Sequence, residues 1–314
     1  MEFRFASSGR SLCVTDLDFK WPNFFVVGAA RCGTTSIYEY LKKHPQIFLP
    51  NLKEPGFFAE SLRPVPRSET RNHCPGDLER YRSLYEEADK HDAIGDVSPS
   101  YLWDEDAPRK IRAACPNARI IIMLRDPVER AYSHYLLKVQ EGGERRPFLA
   151  ALQEDYSSSH KGWWASQLYV ELGLYCDQVS RYLETFSNEQ VAIFLFDDLK
   201  RNAEELLTRI ARHIGVEPNL VEKSALEMVY NGYKMPRSRV LHKAARMLNP
   251  RLKEILFPPS VRRRLYHSNL LYNFEKPPLD DESRRFLQEV YKPEIAKLED
   301  LLGRKIPQLR KSWL

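Results

Sequence analysis

The stretch Phe24–Leu41, FFVVGAARCGTTSIYEYL, constrains this chain more than any other. An apolar run leads into Gly28, four residues follow, and then come Gly33 and the pair Thr34-Thr35. The run Phe24–Val27 reads as a short buried strand. From about Thr35 to His44 the pattern is helical, with Ile37, Tyr40 and Leu41 on one side and Pro45 ending it. The loop between strand and helix has the glycine spacing of a phosphate-binding loop, G-x-x-x-x-G-K-[ST]. Glycines let the backbone approach an anion closely, and N–H groups at a helix start point at it with the helix dipole behind them. Gly33, Thr34, Thr35 and Ser36 supply such donors. The lysine of the motif is missing: Thr34 stands in its place, and the nearest cation is Arg31. That lysine is what reaches the β- and γ-phosphates of a nucleoside triphosphate. Its loss suits a shorter anionic tail, with Arg31 as a fixed charge. The plain structural alternative is a tight turn with a hydroxyl cap.

A second segment, IIIMLRDPVERAYSHYL (residues 120–136), has the same flavour. Arg119–Leu124 is apolar and bounded by turn signals, as a buried parallel strand is. Asp126 can cap a helix, Pro127 suits its first position and Glu129 can complete a capping box. The helix then runs to about Val139, before Gly142-Gly143. Arg125 therefore stands at the carboxyl end of a strand, where open parallel sheets bind ligands, with Ser133 two turns into the next helix. His134, beside it, reads as a helix-surface residue. Ala93–Val97 and Val191–Phe196 are further strands, and Asn202–Ile214 is an amphipathic helix closed by Gly215. Strands alternating with helices predict an α/β fold, a parallel sheet flanked by helices on both faces. Residues 60–90 read as an excursion with a polar helix, and 230–275 as helical and basic. A single domain is expected, with its core at about 22–240 and a helical C-terminal extension at about 241–314.

The hydrophobic content, 43% of 314 residues, is enough for one large core. A net charge of +5 requires no nucleic-acid partner but is compatible with a local anion site. The run Arg262-Arg263-Arg264 reads as a solvated face. Cysteines fall at 13, 32, 74, 115 and 176 with no C-x-x-C pair, so neither a disulfide framework nor a metal site is expected. No apolar run approaches a membrane span, and the first residues lack the apolar core of a signal peptide. The cytoplasm is the expected location, with no membrane partner, as a monomer or homodimer.

Together the two segments resemble the sulfotransferase family that uses 3′-phosphoadenosine 5′-phosphosulfate (PAPS). Arg31-Cys32-Gly33-Thr34-Thr35 is similar to that family's 5′-phosphosulfate loop, with Arg for its usual Lys. Arg125 and Ser133 match its 3′-phosphate motif. HPQIFLPNLKEPGFF, GDVSPSYL and LGLYCDQVSRYLETF also look like the family, in order, over roughly residues 22–240. The fold so implied is a P-loop nucleoside-kinase-like three-layer sandwich. The style is closer to the heparan-sulfate and bacterial small-molecule enzymes, because Lys53-Glu54-Pro55-Gly56-Phe57-Phe58 resembles their Lys-Glu-x-x-Phe-Phe segment. Val97 stands where heparan-type enzymes often carry a lysine.

The resemblance implies PAPS as donor and its bisphosphate, PAP, as product, with no metal. It implies that Glu54 is the base and Arg31 a catalytic cation. Arg31, Cys32, Gly33, Thr34, Thr35, Ser36, Arg125 and Ser133 would hold the nucleotide, and Tyr175 would stack on adenine. Lys234, Arg237 and Ser238 would close over the 3′-phosphate. The acceptor side would draw on Lys53, Phe58, Ser98, Tyr101, Trp163 and Trp164, with Phe57 and Trp103 as further aromatic candidates. A hydroxyl or amine of a small molecule is the expected acceptor, and a carbohydrate the second reading. A P-loop kinase, or a nucleotide-binding module without activity, is the alternative from another class.

Overall fold

The apolar runs of the sequence become the strands of one sheet. A computed structural model describes residues 19–218, 235–236, 272–273 and 275–313. Lys234, Arg237, Ser238, Cys13 and the arginines at 262–264 lie outside the described residues. The strands are β1 (Phe24–Gly28), β2 (Ile47–Phe48), β3 (Ala93–Val97), β4 (Arg119–Leu124) and β5 (Val191–Leu195). They pair in the order β2-β3-β1-β4-β5, all parallel. Val26 lies opposite Val97 on one side and Ile121 on the other. Every residue of β1 and β3 is buried, which is why these strands do not alternate polar and apolar.

The helices are α1 (Thr34–Leu41), α2 (Leu78–Ser83), α3 (Ser100–Trp103), α4 (Ala107–Ala114), α5 (Pro127–Glu141), α6 (Phe148–Ser157), α7 (Tyr175–Thr185), α8 (Phe196–Arg201), α9 (Ala203–Ile214) and α10 (Asp281–Leu301). They flank the sheet on both faces, as the alternating pattern predicts. Asp126 caps α5, its Oδ1 accepting from the N–H groups of Val128 (2.9 Å) and Glu129 (3.2 Å), and Gly142 ends the helix at φ 82°. Glu129 does not close a capping box. Its carboxylate is drawn instead to two cations, Arg125 at 2.9 Å and Lys276 at 3.1 Å. Asn202 caps α9 through the N–H of Glu205, and Gly215 terminates it.

The described part of the C-terminal region packs into this core. α10 lies against α5, α6 and α7. Leu287, Tyr291, Ile295 and Leu298, spaced by three and four, form its buried stripe. Beyond it, the N–H of Ser312 donates to Asp126 Oδ2 (2.7 Å), tying the chain's last described turn to the start of α5. No described helix is long and apolar enough to cross a membrane.

The strand order also fixes where a ligand can sit. After β1 the chain moves to β2 and β3 on one side, then returns to place β4 on the other. The switch in direction falls between β1 and β4, and the crevice at their carboxyl ends is the binding place such sheets offer.

Candidate active site

β1 ends at Gly28 and the chain turns through Ala29–Cys32 into α1, with the N–H of Ala29 donating to Met123 O (2.7 Å) on the neighbouring strand. Arg31 (φ 69°) and Gly33 (φ 89°) both lie in the left-handed region. For a residue with a side chain this costs about 1–2 kcal/mol, so Arg31 is held there against its preference. Gly33 has a second reason to be glycine: a Cβ would meet Phe196 Cδ2 at 2.8 Å and Leu199 Cδ2 at 2.9 Å. Gly33 is also the N-cap of α1, and no side chain caps that helix. The N–H groups of its first turn have no carbonyl four residues back. Gly33, Thr34, Thr35 and Ser36 line a cavity of about 290 Å³.

Across the cavity, α5 presents Ser133, His134, Leu137 and Lys138, one stripe along the helix. Arg125 arrives from the end of β4. Its Nη1 donates to Arg31 O (3.3 Å), its Nη2 to Glu129 Oε2 (2.9 Å), and its guanidinium lies 4.7 Å from the centre of the Phe196 ring. Arg31 Nη2 donates to Ser133 Oγ (3.2 Å). The two anion-binding segments therefore form one site, joined by the arginine that stands near the missing lysine. Arg130 lies fully buried behind it, with Nη2 donating to Tyr169 O.

Electrostatically this corner is unsatisfied. Among the described residues, Arg31 Nε, and Arg130 Nε and Nη1, are buried with no hydrogen-bond partner. Burial first, then Arg125 and Arg130, push the Arg31 pKa down. A guanidinium nonetheless stays charged at neutral pH. Burial pushes the Glu129 carboxyl up, but Lys276 and Arg125 outweigh it and hold the group below its ordinary value. Orphaned donors among like charges are costly, and a multiply charged anion would satisfy both deficits. The residues present fit an anionic nucleotide.

The remaining wall is acidic and aromatic. Glu54 lines the cavity from the loop after β2, with its backbone at φ 64° and its N–H on Val97 O (3.1 Å). Its carboxylate pairs with Lys53. Beneath it, the buried Asp96 accepts from Ser98 Oγ (2.7 Å), Tyr81 OH (2.8 Å) and Tyr101 OH (2.8 Å). Ser98 Oγ and Tyr101 OH in turn accept from the N–H groups of Gly56 (3.1 Å) and Phe58 (3.4 Å). One buried carboxylate thus organises the segment that carries Glu54. Opposite, Asp155 fixes another turn by accepting from the N–H groups of Gln167 and Tyr169, each at 2.8 Å. Trp163, Trp164 and Gln167 line the cavity from that turn, and Trp164 Nε1 donates to Leu62 O (2.7 Å).

Several expected contacts fall elsewhere. The Cys32 side chain points into the core, 3.7 Å from Tyr175 OH. Tyr175 is itself 1% exposed, so neither ring face is open to stack on adenine; its hydroxyl donates to Arg125 O (3.0 Å) and steadies that residue's backbone. Phe58 packs among the rings of Phe25 and Tyr101, and Ser98 and Tyr101 are spent on Asp96, so all three belong to the core rather than to an acceptor wall. Lys53 does not line the cavity and pairs with Glu54. His134, expected on the helix surface, lines the cavity. Once Ser133 is in the site, the helical period would have placed His134, Leu137 and Lys138 beside it; nothing local signals Gln167. Among the described residues no group of three or more His, Cys, Asp or Glu could hold a metal ion.

The geometry has clear counterparts among known proteins. A family model described as "Sulfotransferase family" matches residues 22–219. Bifunctional heparan sulfate N-deacetylase/N-sulfotransferase 4 of Mus musculus is 28% identical over 306 residues, covering 93% of this chain and 31% of its own length. Carbohydrate sulfotransferase 15 of Homo sapiens is 26% identical over 279 residues, covering 73% of this chain and 49% of its own. The chain thus spans half or less of the length of these curated relatives. The crystal structure of a sulfotransferase from Alicyclobacillus acidocaldarius superposes with a TM-score of 0.72 at 26% identity, covering 93% of this chain and all of that one. With both anion-binding segments inside the matched region and meeting in one cavity, the chain belongs to the PAPS-dependent sulfotransferase family.

Proposed function

We propose that this chain transfers a sulfuryl group from PAPS to a hydroxyl or amine of a carbohydrate, with Glu54 as the base. The observation that carries the reading is the meeting of Arg31, Ser133 and the α1 N-terminus in one cavity that Glu54 also lines. The carbohydrate acceptor draws on the relatives that match over most of the chain, which are named for heparan sulfate and carbohydrate substrates. It displaces the small-molecule acceptor expected from the sequence. Trp163 and Trp164, which present aromatic surface to the cavity, suit the apolar face of a sugar ring.

PAPS, when bound, supplies an activated sulfuryl group whose leaving group is a nucleotide phosphate. The N–H groups at the start of α1 and the hydroxyls of Thr34, Thr35 and Ser36 would hold the 5′ end. Arg125 and Ser133 would hold the 3′-phosphate, a group ATP lacks. Arg31, already bonded to Ser133, would serve both ends as a shared cation, which its bulk allows and a lysine's point charge would not. Aligned donors at the departing phosphate stabilise the charge that grows there. Glu54 would accept the proton released as the acceptor attacks, and its left-handed backbone aims it from a loop fixed by Asp96.

Incubation with ³⁵S-labelled PAPS and a panel of desulfated glycans and simple alcohols tests the reading. Label in a glycan is expected. Label confined to the simple alcohols would overturn the carbohydrate acceptor, and no transfer to any acceptor despite PAP binding would favour a module without activity.

A further inference from the structure

His134 follows Ser133 on α5 and lines the same cavity. Its Nδ1 is buried with no hydrogen-bond partner among the described residues. The ring packs edge-on against Tyr169, with ring centres 5.2 Å apart. The charged groups acting on it are cations: Arg130 and Lys138 from its own helix and Arg31 from the β1–α1 loop. The carboxylates nearby are engaged elsewhere. Glu144 pairs with Arg146 and accepts from Tyr169 OH, Glu141 pairs with Lys138, and Glu54, on the cavity wall, pairs with Lys53. Burial, then these three cations, hold the imidazole well below its ordinary pKa.

We propose that His134 is a ligand-gated proton acceptor: when the anionic nucleotide fills the cavity, the imidazole takes a proton from solvent and donates a hydrogen bond to the bound anion. The inference rests on the nucleotide site described above. A permanently charged imidazolium beside Arg31, Arg130 and Lys138 would add repulsion to a corner that already has too much. A neutral histidine avoids that cost in the free protein. An anion carrying several negative charges reverses the local potential and favours the imidazolium, since a nearby opposite charge stabilises the charged form. The proton is returned to solvent when the product nucleotide leaves, so none is consumed over the cycle.

Proton uptake and affinity are linked. Below the pKa of the free protein both states carry the proton, and above that of the complex neither does. Between the two, nucleotide binding should tighten as pH falls. Calorimetric titration with PAP near pH 6.5, in buffers of different ionisation enthalpy, counts the protons exchanged. Wild type should take up on the order of half a proton more per PAP than His134→Gln. The nucleotide's own phosphates titrate in the same range and couple to the imidazole, so the difference counts the protons of the pair and the ring NMR assigns them to His134. NMR of the His134 ring in the wild-type protein, with and without PAP, reads the same event without a variant and decides the matter if His134→Gln folds poorly. PAP bound with equal proton counts in the two proteins, or a His134 pKa unmoved by PAP, would overturn the inference and leave the site intact. Failure of PAP to bind wild type at any pH would overturn both.

Discussion

Residue 33 shows how little separates an anion cradle from an ordinary turn. Gly33→Ala asks for a left-handed alanine and pushes its Cβ against Phe196 and Leu199. The expected loss is about 1–3 kcal/mol in denaturant unfolding, with PAP affinity falling at least roughly tenfold because the first turn of α1 must shift. Unchanged affinity would remove the turn from the binding site. Glu54→Gln keeps shape and removes the base: kcat should fall roughly 10²- to 10⁴-fold while PAP affinity holds. Full turnover in that variant would dismiss Glu54 as the base. Asp96 has a different signature. Burial raises its pKa to about 6, against the three hydrogen bonds it accepts, and the charge of Glu54 adds to the rise. A carboxyl whose folded pKa lies above its unfolded value stabilises least when ionised. The penalty is absent below about pH 4, grows through the window up to about 6, and is complete above it, amounting to about 3 kcal/mol. Wild-type stability minus that of Asp96→Asn should therefore fall by that order between about pH 4 and about pH 7. A flat difference would show that Asp96 does not titrate in this window.

At the scale of elements, α5 carries the site and is itself tied to the described C-terminal turn. Asp126 caps it and also receives the N–H of Ser312. Asp126→Ala should cost about 1–2 kcal/mol, the range of a lost N-cap, and should weaken PAP binding as Ser133 and Arg125 lose their common anchor. Normal PAP affinity in the destabilised variant would show that the cap serves stability alone. The elements that were legible in the sequence are those with a local cause. β4 is an apolar run between charges, and α5 begins at Asp126-Pro127 and ends at Gly142. Residues whose roles depend on which way a side chain turns were not. Cys32 sits in the anion loop by sequence but faces the core, and Tyr175 opens α7 with its ring inward. Glu129 satisfies the spacing of a capping box, yet Lys276, nearly 150 residues later, competes for it. The two-residue β2 is too short to register as a pattern and exists because β3 offers an edge.

Across the whole molecule, α10 and the turn after it pack against the elements that carry the site. Tyr291 OH donates to Val170 O (2.9 Å), close to the segment that lines the cavity, and Glu294 Oε1 accepts from the N–H of Cys176 (2.7 Å) at the start of α7. α7 begins at Tyr175, whose hydroxyl steadies Arg125. These contacts couple the C-terminal segment to the anion site. Cooperative unfolding as one unit is the expected consequence, because packing of this kind cannot be lost locally without exposing the stripe Leu287, Tyr291, Ile295 and Leu298. Scanning calorimetry should give a single transition. PAP at about a hundred times its Kd should add about 2.7 kcal/mol, moving that transition up by roughly 5 °C. The shift should shrink as salt is raised, since the site's cations would be screened before PAP reaches them. Two transitions, of which PAP moves only one, would mean that the C-terminal segment is an independent unit and that its ties at Asp126 and Val170 do not carry the stability of the site.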